Sequence, residues 1–439
     1  MCTIALHTLN IVTLKHILFI LFFTAGTCSA QVTIAKDTIT LNRQQAEALF
    51  LEKNIALLAG RLDMDIAEAQ VVQAKLWPNP TLTVSEINLW SNATSEKLPP
   101  LWRNFGTTSE VAVSLEQLIL TAGKRRKMIA MEKVSADMAK EYFSEMLRNL
   151  KLEFRNTMTD LQLTQLQQKI YKKQVSSIQV LTAAYAKQVQ QGNTASAEYT
   201  RLKAAEIQFL RDLSELDREN NRLQKELKVL MSLPSSSYIK LSDDGFSPDM
   251  ENVARLQPGP LIEQALENRP DVKSVKLASL YSSEKYKYER ALRTPDITLQ
   301  ASYDRGGNIM NNFVGFGFAI DLPFFNRNQG NIKAARASIK QSELLVEQKT
   351  ITVQAEVIEA YSNLQASLQL YSEFSNGLEG ELDKLLDSYF RSFRQRDTSL
   401  ILYLDYVNAY IENKAIILNT RKNISAQYEE LKYITGQEL

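Results

Sequence analysis

The 439-residue chain has few of the side chains on which most catalytic and metal sites depend. It contains two His and two Cys, and all four, His7, His16, Cys2 and Cys28, lie in the first 30 residues. Zinc enzymes, cysteine hydrolases and Ser-His-Asp hydrolases need these residue types. No G-x-S-x-G, Walker or dinucleotide fingerprint occurs either. The sequence therefore predicts no catalytic residue, no metal ligand set and no cofactor. An enzyme that uses a pair of carboxylates is the remaining alternative, and no motif supports it.

The chain also lacks an excess of charge of either sign. It has 51 Lys+Arg against 50 Asp+Glu, and removal of residues 1–30, which contain one Lys and no acid, leaves 50 of each. A neutral exported chain is not a basic nucleic-acid binder. With 15 Gly and 11 Pro it is also neither a collagen-like repeat nor a disordered tail.

The first 30 residues have the pattern of a signal peptide. Lys15 and His16 precede an apolar run from Ile17 to Phe23, and Cys28-Ser29-Ala30 forms an A-x-A-like cleavage site. Cleavage is predicted after Ala30. The alternative is a lipoprotein acylated at Cys28, although residues 26 and 27 fit that recognition poorly. The apolar run is too short for a spanning helix, which needs about 20 residues.

The remaining chain is a tandem duplication. Ala48-Leu49 and Ala265-Leu266 each stand 30 residues before a proline, which gives an offset of 217. Downstream, Tyr185, Gln191, Thr194, Tyr199 and Leu227 recur at an offset of 204 as Tyr389, Gln395, Thr398, Tyr403 and Leu431. One insertion in one loop explains the change. The predicted organisation is a signal peptide at 1–30, a first repeat at 31–233, an inter-repeat linker at 234–259 and a second repeat at 260–439.

Each repeat has the same predicted order of elements: a helix, a short strand, a loop, a short strand and two long helices. The first helix is predicted roughly from Asn42 to Leu76, and its counterpart from Pro260 to Arg293. Residues 297–304 and 314–322 alternate with a period of two, which is typical of strands. The first-half equivalent of the second segment places Val111, Val113 and Leu115 opposite Glu110, Ser114 and Glu116, and residues 81–89 are assigned to a strand as well. The long helices carry apolar seams with the spacing of coiled coils. The seam residues are Leu147, Leu150, Phe154, Met158 and Leu161 in the first half and Leu400, Leu404, Val407 and Ile411 near the C-terminus.

The strands set a physical problem, because their apolar faces have no matching core. About ten residues with alternating faces match the hydrocarbon thickness of an outer membrane. Strands cross lipid only in a closed barrel, and such barrels begin at eight strands. Several chains must therefore share one barrel, and two, three or four copies would give 8, 12 or 16 strands. The residues predicted to face a wet lumen are Glu110, Ser114, Glu116, Thr298, Gln300 and Ser302.

The tryptophans fall at strand ends, before, after and beyond the first strand, as Trp77, Trp90 and Trp102. A membrane girdle would place them there. Packing in an ordinary core explains them equally well.

Four motifs resemble those of one known family. They are Leu76-Trp77-Pro78-Asn79-Pro80, the Gly123-Lys124-Arg125 turn, Arg269-Pro270-Asp271, and Asp321-Leu322-Pro323-Phe324-Phe325-Asn326-Arg327-Asn328-Gln329-Gly330. With them the chain resembles the TolC-type outer-membrane efflux proteins over nearly all of its mature length. The last motif is most similar to the branch that serves cobalt-zinc-cadmium type cation efflux.

The resemblance implies a mainly α fold with a β-barrel portion. In it, the tandem-repeat protomers of a homotrimer contribute four strands each to a shared 12-stranded outer-membrane β-barrel, which a long periplasmic α-helical coiled-coil barrel continues. The partners implied are outer-membrane lipid, a periplasmic adaptor protein and a proton-driven inner-membrane efflux transporter, and no nucleic acid. The function implied is the exit duct of a tripartite efflux pump, which passively conducts exported substrates, heavy-metal cations among them.

The resemblance also points to a periplasmic constriction. The family narrows this mouth just after the second helical tip, often with aspartates, and the position falls on Asp405. A second position falls on Leu402, which departs from an aspartate ring. The internal repeat places Glu198 and Arg201 at the matching positions of the first half. Asp405, Glu198 and Arg201 are therefore the predicted gate, and the alternative is that Asp405 is one more solvated helix charge.

The two helical tips are the expected adaptor contacts, by the same resemblance. The residues are Gly192, Asn193 and Thr194 in the first half and Arg396, Asp397 and Thr398 in the second. Locally, glycine stops the first helix, and Thr194 and Asp397-Thr398 are candidate N-caps. The family usually has Gly at the position of Arg396, which predicts an altered second adaptor contact. A hairpin needs such a helix-breaking tip in any case.

A protein of another class also fits part of the sequence. An exported, non-conducting coiled-coil structural protein or adhesin stalk would show the same heptads and neutral charge. It would not need four amphipathic strands bounded by proline and glycine. The sequence favours the duct for that reason.

Overall fold

The computed structural model describes residues 37–85, 111–242, 253, 255–305, 312–373 and 377–437. The signal peptide, Cys28, Trp90, Trp102, Glu110 and the second half of the first predicted strand lie outside these residues. None of the described helices combines the length and the apolar character that a membrane span requires.

The elements of the two halves follow the same order after a short N-terminal strand. The first half contains β1 (Thr38–Leu41), α1 (Arg43–Lys53), α2 (Ile55–Lys75), β2 (Thr81–Ser85), β3 (Val111–Ile119), α3 (Lys124–Gln190), α4 (Ser196–Leu230) and β4 (Tyr238–Leu241). The second contains α5 (Pro258–Asn268), α6 (Pro270–Ala291), β5 (Ile297–Arg305), β6 (Phe313–Ile320), α7 (Gln329–Ser372), α8 (Leu378–Arg394) and α9 (Leu400–Thr435). The 67 residues of α3 alone span about 100 Å at 1.5 Å per residue.

The helices are interrupted at three points that the periodicity did not predict. The first predicted helix divides at Asn54, whose side chain accepts from the Leu57 amide at 3.0 Å and caps α2. Its counterpart divides at Arg269, because a residue before proline is disfavoured in helical conformation. The first long helix of the second half also stops after Ser372 and restarts at Leu378, behind Gly377 with φ of +88°.

A small parallel sheet was also not predicted. β1 pairs with β4, about 200 residues away, and joins Thr38 to Tyr238 and Leu41 to Leu241. β4 lies inside the segment assigned to the linker, so part of that segment is ordered structure. Its Ile239 amide and carbonyl both bond the side chain of Gln224, at 2.9 Å and 2.5 Å. This sheet joins the strand at the start of the first half to the strand at its end.

Three clusters of buried apolar side chains hold the helices together. One joins α1, α3, α4 and the small sheet, with the rings of Phe50 and Phe154 stacked at 4.7 Å. A second joins α5, α6, α7 and α9 around Val353, Val357 and Leu364. The third lies nearer the tips and joins α3, α4, α8 and α9. The predicted seam residues buried in these clusters include Met158, Leu161, Leu400, Leu404, Val407 and Ile411.

The larger sheet stands outside all three clusters. Its four antiparallel strands have the order β2-β3-β5-β6, so the two strand pairs meet through β3 and β5. Not one described residue of these four strands is buried. The prediction that the strand faces lack a core within the chain is therefore confirmed.

Candidate functional site

The strand register separates the sheet into one apolar and one polar face. On one face Leu82, Leu115, Ala301 and Phe316 form a row across all four strands, and Val84, Val113, Tyr303 and Val314 form the next. The opposite face carries Thr83, Ser114, Ser302 and Gly315 in one row and Thr81, Glu116, Gln300 and Gly317 in another. The Gln300 amide donates to the Glu116 carboxylate at 3.2 Å across the strands. The lumen-facing residues predicted in the described strands share this polar face.

The apolar face is uncovered in the protomer. Phe316 is 86% exposed and Phe318 72% exposed, and the other large side chains of the face are exposed or half-buried. Gln117 is the polar exception, and its amide donates to the Pro78 carbonyl at 3.0 Å near the end of the sheet. A contiguous apolar surface of this kind calls for a covering medium or partner.

The sheet also has two open edges. Within the residues that the structure describes, β2 pairs only with β3 and β6 only with β5. Unpaired backbone groups on a strand edge are a template for another strand. The sheet is therefore incomplete in two directions, at its apolar face and at its edges.

A buried ion pair fixes the passage from strand to helix in the first half. The Lys124 ammonium, with a side chain only 6% exposed, lies 2.7 Å from the Asp296 carboxylate at the start of β5. The same carboxylate accepts from the Thr121 amide at 2.9 Å. Arg125 donates to the Lys75 carbonyl at 2.7 Å and lies 4.2 Å from the ring centroid of Trp77. These contacts give the Gly-Lys-Arg and Leu-Trp-Pro motifs one structural role, which is to anchor both strand pairs to α3.

The second half uses an asparagine at the equivalent place. Asn328 adopts the left-handed conformation, with φ of +56°, directly before α7. Its side-chain amide donates to both the backbone carbonyl and the carboxylate of Glu289, at 2.9 Å and 2.6 Å. The long motif that ends in Asn-Gln-Gly thereby ties the start of α7 to the end of α6.

The third motif forms a buried charge network at mid-length. Arg269, 3% exposed, donates to Asp271 at 2.7 Å and to Glu356 at 2.6 Å. Lys349 and Arg148 approach the same Asp271 carboxylate at 2.6 Å and 3.5 Å. Burial opposes ionisation of Asp271, but the hydrogen bonds from Arg269 and Lys349 outweigh it and hold its pKa well below the ordinary value. The network joins α3, α6 and α7.

Both helical tips end in the same hydrogen-bonded motif. At the first, Gly192 has φ of +75°, its amide donates to the Val189 carbonyl, and the Asn193 amide donates to the Gln188 carbonyl at 2.9 Å. This is a Schellman ending. At the second, the Asp397 amide donates to the Ser392 carbonyl at 3.0 Å, and Arg396 occupies the left-handed position with φ of +66°. Arg396 therefore takes the same left-handed backbone conformation as Gly192 at the first tip.

The predicted N-caps are wrong by one residue. Ala195 precedes α4 without a side-chain cap, and Ser399 caps α9 by accepting from the Leu402 amide at 3.3 Å. The hydroxyl of Thr194 instead donates to the Gln188 side chain at 2.9 Å. The Schellman ending of the preceding helix already uses the residues after the left-handed position. The N-cap position of the following helix therefore lies one residue later than predicted.

The three predicted gate residues are exposed on α4 and α9. Asp405 makes no hydrogen bond or ion pair with any residue in the described ranges, and neither does Arg201. Glu198 lies near the ring of Tyr185, whose pKa rises through burial and this negative charge. The protomer alone does not bring the three side chains together.

An aromatic and ionic cluster beneath the tips was missed by sequence reasoning. Tyr403 lies 4.9 Å from Phe393, ring centroid to ring centroid, and burial raises its pKa to about 12. Lower on α9, the Tyr410 hydroxyl donates to Asp383 at 2.7 Å and the Lys414 ammonium to the same carboxylate at 3.0 Å. Burial opposes ionisation of Asp383, but these two donors prevail and lower its pKa. The repeated tyrosines Tyr389 and Tyr403 were the available signal.

No group of three or more His, Cys, Asp or Glu side chains capable of holding a metal occurs among the described residues. The site that the geometry does offer is a surface. It consists of a sheet with two chemically distinct faces and of paired tips at the end of long helices.

Comparison with known proteins agrees with this architecture. The chain is similar to the cobalt-zinc-cadmium resistance protein CzcC of Cupriavidus metallidurans, with 23% identity over 331 residues that cover 74% of each sequence. Its fold matches crystal structures of CusC, with a TM-score of 0.69 and 19% identity over 90% of this chain and 92% of the other. The Campylobacter jejuni CmeC outer membrane channel gives a TM-score of 0.71 at 15% identity over 90% and 85%.

A family model matches the chain as well. The model of the outer membrane efflux proteins matches residues 47–232 and 261–373, more than half of the chain. The TolC-type channel fold, the efflux role and the outer-membrane location that the motifs implied are confirmed. The strand faces, the long helices and the family model lead to one conclusion: the chain belongs to the outer membrane efflux protein family.

Proposed function

We propose that three copies of this chain form the exit duct of a tripartite efflux pump. Members of the family form homotrimers and work with periplasmic adaptor proteins and inner-membrane transporters. The four-stranded sheet carries the proposal, because it has one apolar face, one polar face and two open edges. Three sheets joined edge to edge give a 12-stranded barrel with lipid outside and water inside.

The duct acts passively, carries out no reaction and needs no cofactor. Its cargo is heavy-metal cations, which is supported by the similarity to a cobalt-zinc-cadmium resistance protein. A proton-driven transporter of the inner membrane supplies the energy, and an adaptor binds the two tips at Gly192, Asn193 and Thr194 and at Arg396, Asp397 and Thr398. The exported chain begins after Ala30.

The duct itself is tested with the purified mature chain. We expect trimers that require detergent, that migrate differently on gels before and after heating, and that give discrete conductance steps in planar bilayers. A chain that stays dissolved without detergent and conducts nothing would identify the stalk instead. For the cargo, we expect a strain without this chain to become sensitive to Co²⁺, Zn²⁺ or Cd²⁺. Sensitivity to organic compounds alone would reassign the cargo and leave the duct intact.

The periplasmic constriction forms between protomers. Asp405 is exposed and without a partner in the described part of the protomer, so its charge is free to meet Glu198 or Arg201 of a neighbouring helix pair. Replacement of Asp405 by Ala removes one charge per protomer from the narrowest ring, and we expect a higher single-channel conductance. Glu412→Ala, on the same exposed side two turns away, is the matched control. Equal conductance of the Asp405→Ala variant and the wild type would remove Asp405 from the gate.

A further inference from the structure

A cleft of about 570 Å³ lies beside the start of α7, between the end of α6 and the turn that follows β6. Its lining combines two phenylalanines with four cations, which are Phe324, Phe325, Arg293, Arg327, Lys333 and Arg336. We call it the basic cleft. Among the described residues, no carboxylate contributes to its lining.

The cations of the basic cleft are not neutralised by the protein. In the described part of the chain, none of the four forms an ion pair. Arg327 donates to the Pro323 carbonyl at 3.2 Å and Arg336 to the Tyr286 hydroxyl at 3.3 Å, and both partners are uncharged acceptors. The carboxylate of Glu289, near the end of α6, accepts a hydrogen bond from the Asn328 side-chain amide at 2.6 Å. Uncompensated positive charge that converges on a cleft favours an anion.

The apolar side chains of the cleft are exposed to solvent. Phe325 is 95% exposed, and Phe324 and Leu322 are also largely in solvent. Leu322 continues the apolar alternation of β6, whose last residue, Ile320, pairs with Ile297 at the helix side of the sheet. The cleft therefore lies where the strands leave the hydrocarbon on the periplasmic side. Aromatic side chains and cations together are typical of a membrane boundary.

We propose that the basic cleft binds the headgroup of an anionic phospholipid of the periplasmic leaflet. The guanidinium groups of Arg327 and Arg336 and the ammonium of Lys333 contact the phosphodiester, and Phe324 and Phe325 lie among the acyl chains. The site rests on the proposed function only in that the strands span the outer membrane. It fixes the depth of the sheet in the membrane at one point per protomer.

The test is native mass spectrometry of detergent-purified trimers of the full chain, given equal amounts of phosphatidylglycerol and phosphatidylcholine. We expect wild-type trimers to retain phosphatidylglycerol preferentially and to lose it as salt is raised. Each cation near an anionic headgroup strengthens binding by about fivefold. The variant Arg327→Gln/Lys333→Gln/Arg336→Gln should therefore reduce retention by at least tenfold.

Two matched variants separate charge from general damage. Arg211→Gln/Arg218→Gln/Lys225→Gln removes the same charge from the exposed surface of α4 and should retain the lipid. Arg327→Lys/Arg336→Lys preserves the charge and should retain it as well. Excess inorganic phosphate should not displace the lipid, because it lacks the acyl chains that Phe324 and Phe325 contact. Displacement by phosphate would identify a simple anion site.

Failure of the lipid site can be distinguished from failure of the proposed duct. Conducting wild-type trimers that show no preference for phosphatidylglycerol, or a triple Gln variant that retains it as the wild type does, would overturn the lipid site alone. Absence of trimers and conductance would instead overturn the duct.

Discussion

A single arginine placed on either face of the sheet tests the membrane orientation directly. Phe316 is the fourth of eight residues in β6 and is 86% exposed in the protomer. In a soluble protein, Phe316→Arg at such a position would leave stability unchanged or improve solubility. In the barrel the same side chain would meet the middle of the hydrocarbon.

The expected loss of stability follows from the depth of the arginine in the membrane and from the number of copies in the barrel. An arginine on the lipid face at the bilayer midplane destabilises a barrel by about 2–4 kcal/mol. Because three copies share one barrel, we expect a loss of roughly 6–12 kcal/mol per trimer, comparable to the whole stability of a typical domain. Phe316→Arg should therefore abolish trimers in the outer membrane.

The matched control is Gln300→Arg on the polar face. Gln300 pairs with Gly317, next to the pair of Ala301 with Phe316, so the two arginines would stand at the same height on opposite faces. The assay is the amount of heat-modifiable trimer extracted from outer membranes with detergent. We expect Gln300→Arg to assemble and to change conductance only. Assembly of Phe316→Arg with failure of Gln300→Arg would refute the assigned orientation.

Three further predictions concern the helices and their junction. Gly192→Ala should speed amide hydrogen exchange at the first tip about fivefold, since the left-handed conformation disfavours an L side chain by about 1 kcal/mol. Arg396→Gly should leave the second tip equally stable or more stable. Equal exchange rates in the two variants would contradict the strain argument. Asp296→Ala should destabilise the trimer by about 3 kcal/mol per protomer by leaving the buried lysine ammonium unpaired, with exposed Asp321→Ala as a silent control in thermal unfolding. Because the pKa of Asp271 is lower in the folded than in the unfolded chain, its contribution to stability is complete above about pH 4 and should disappear as the pH falls further. If Asp271→Asn unfolds in acid with the same pH dependence as the wild type, Asp271 is not the group responsible.

Local patterns were enough to predict the parts of this fold that depend on local rules. The period-two alternation of residues 297–304 identified β5 and its two faces, since a strand alternates side chains strictly. The repeat then predicted that β2 and β3 form the matching pair. Glycine at position 192 marked the first tip, because only a left-handed residue completes that ending.

The remainder depends on contacts between distant residues. Nothing near Arg269 in the sequence shows that it meets Glu356, and nothing near Thr38 shows that β1 pairs with Tyr238. The break at Asn54 also escaped detection, because its side chain caps α2 while donating to the Leu230 carbonyl at 2.8 Å, far along the chain. The gate residues remain a prediction for a similar reason, because the partners proposed for them lie on another copy.

Strand direction explains how copies of this chain close a barrel without a special connecting element. β2 and β5 run one way and β3 and β6 the other, since each neighbour in the sheet is antiparallel. The sheet thus begins and ends on strands of opposite direction, and β6 of one copy meets β2 of the next as an antiparallel pair. In the duplicated chain, β6 corresponds to β3 and β2 to β5, so this junction between copies repeats the junction inside each copy. Any number of copies satisfies that rule, so strand direction allows a closed barrel but does not by itself select three copies.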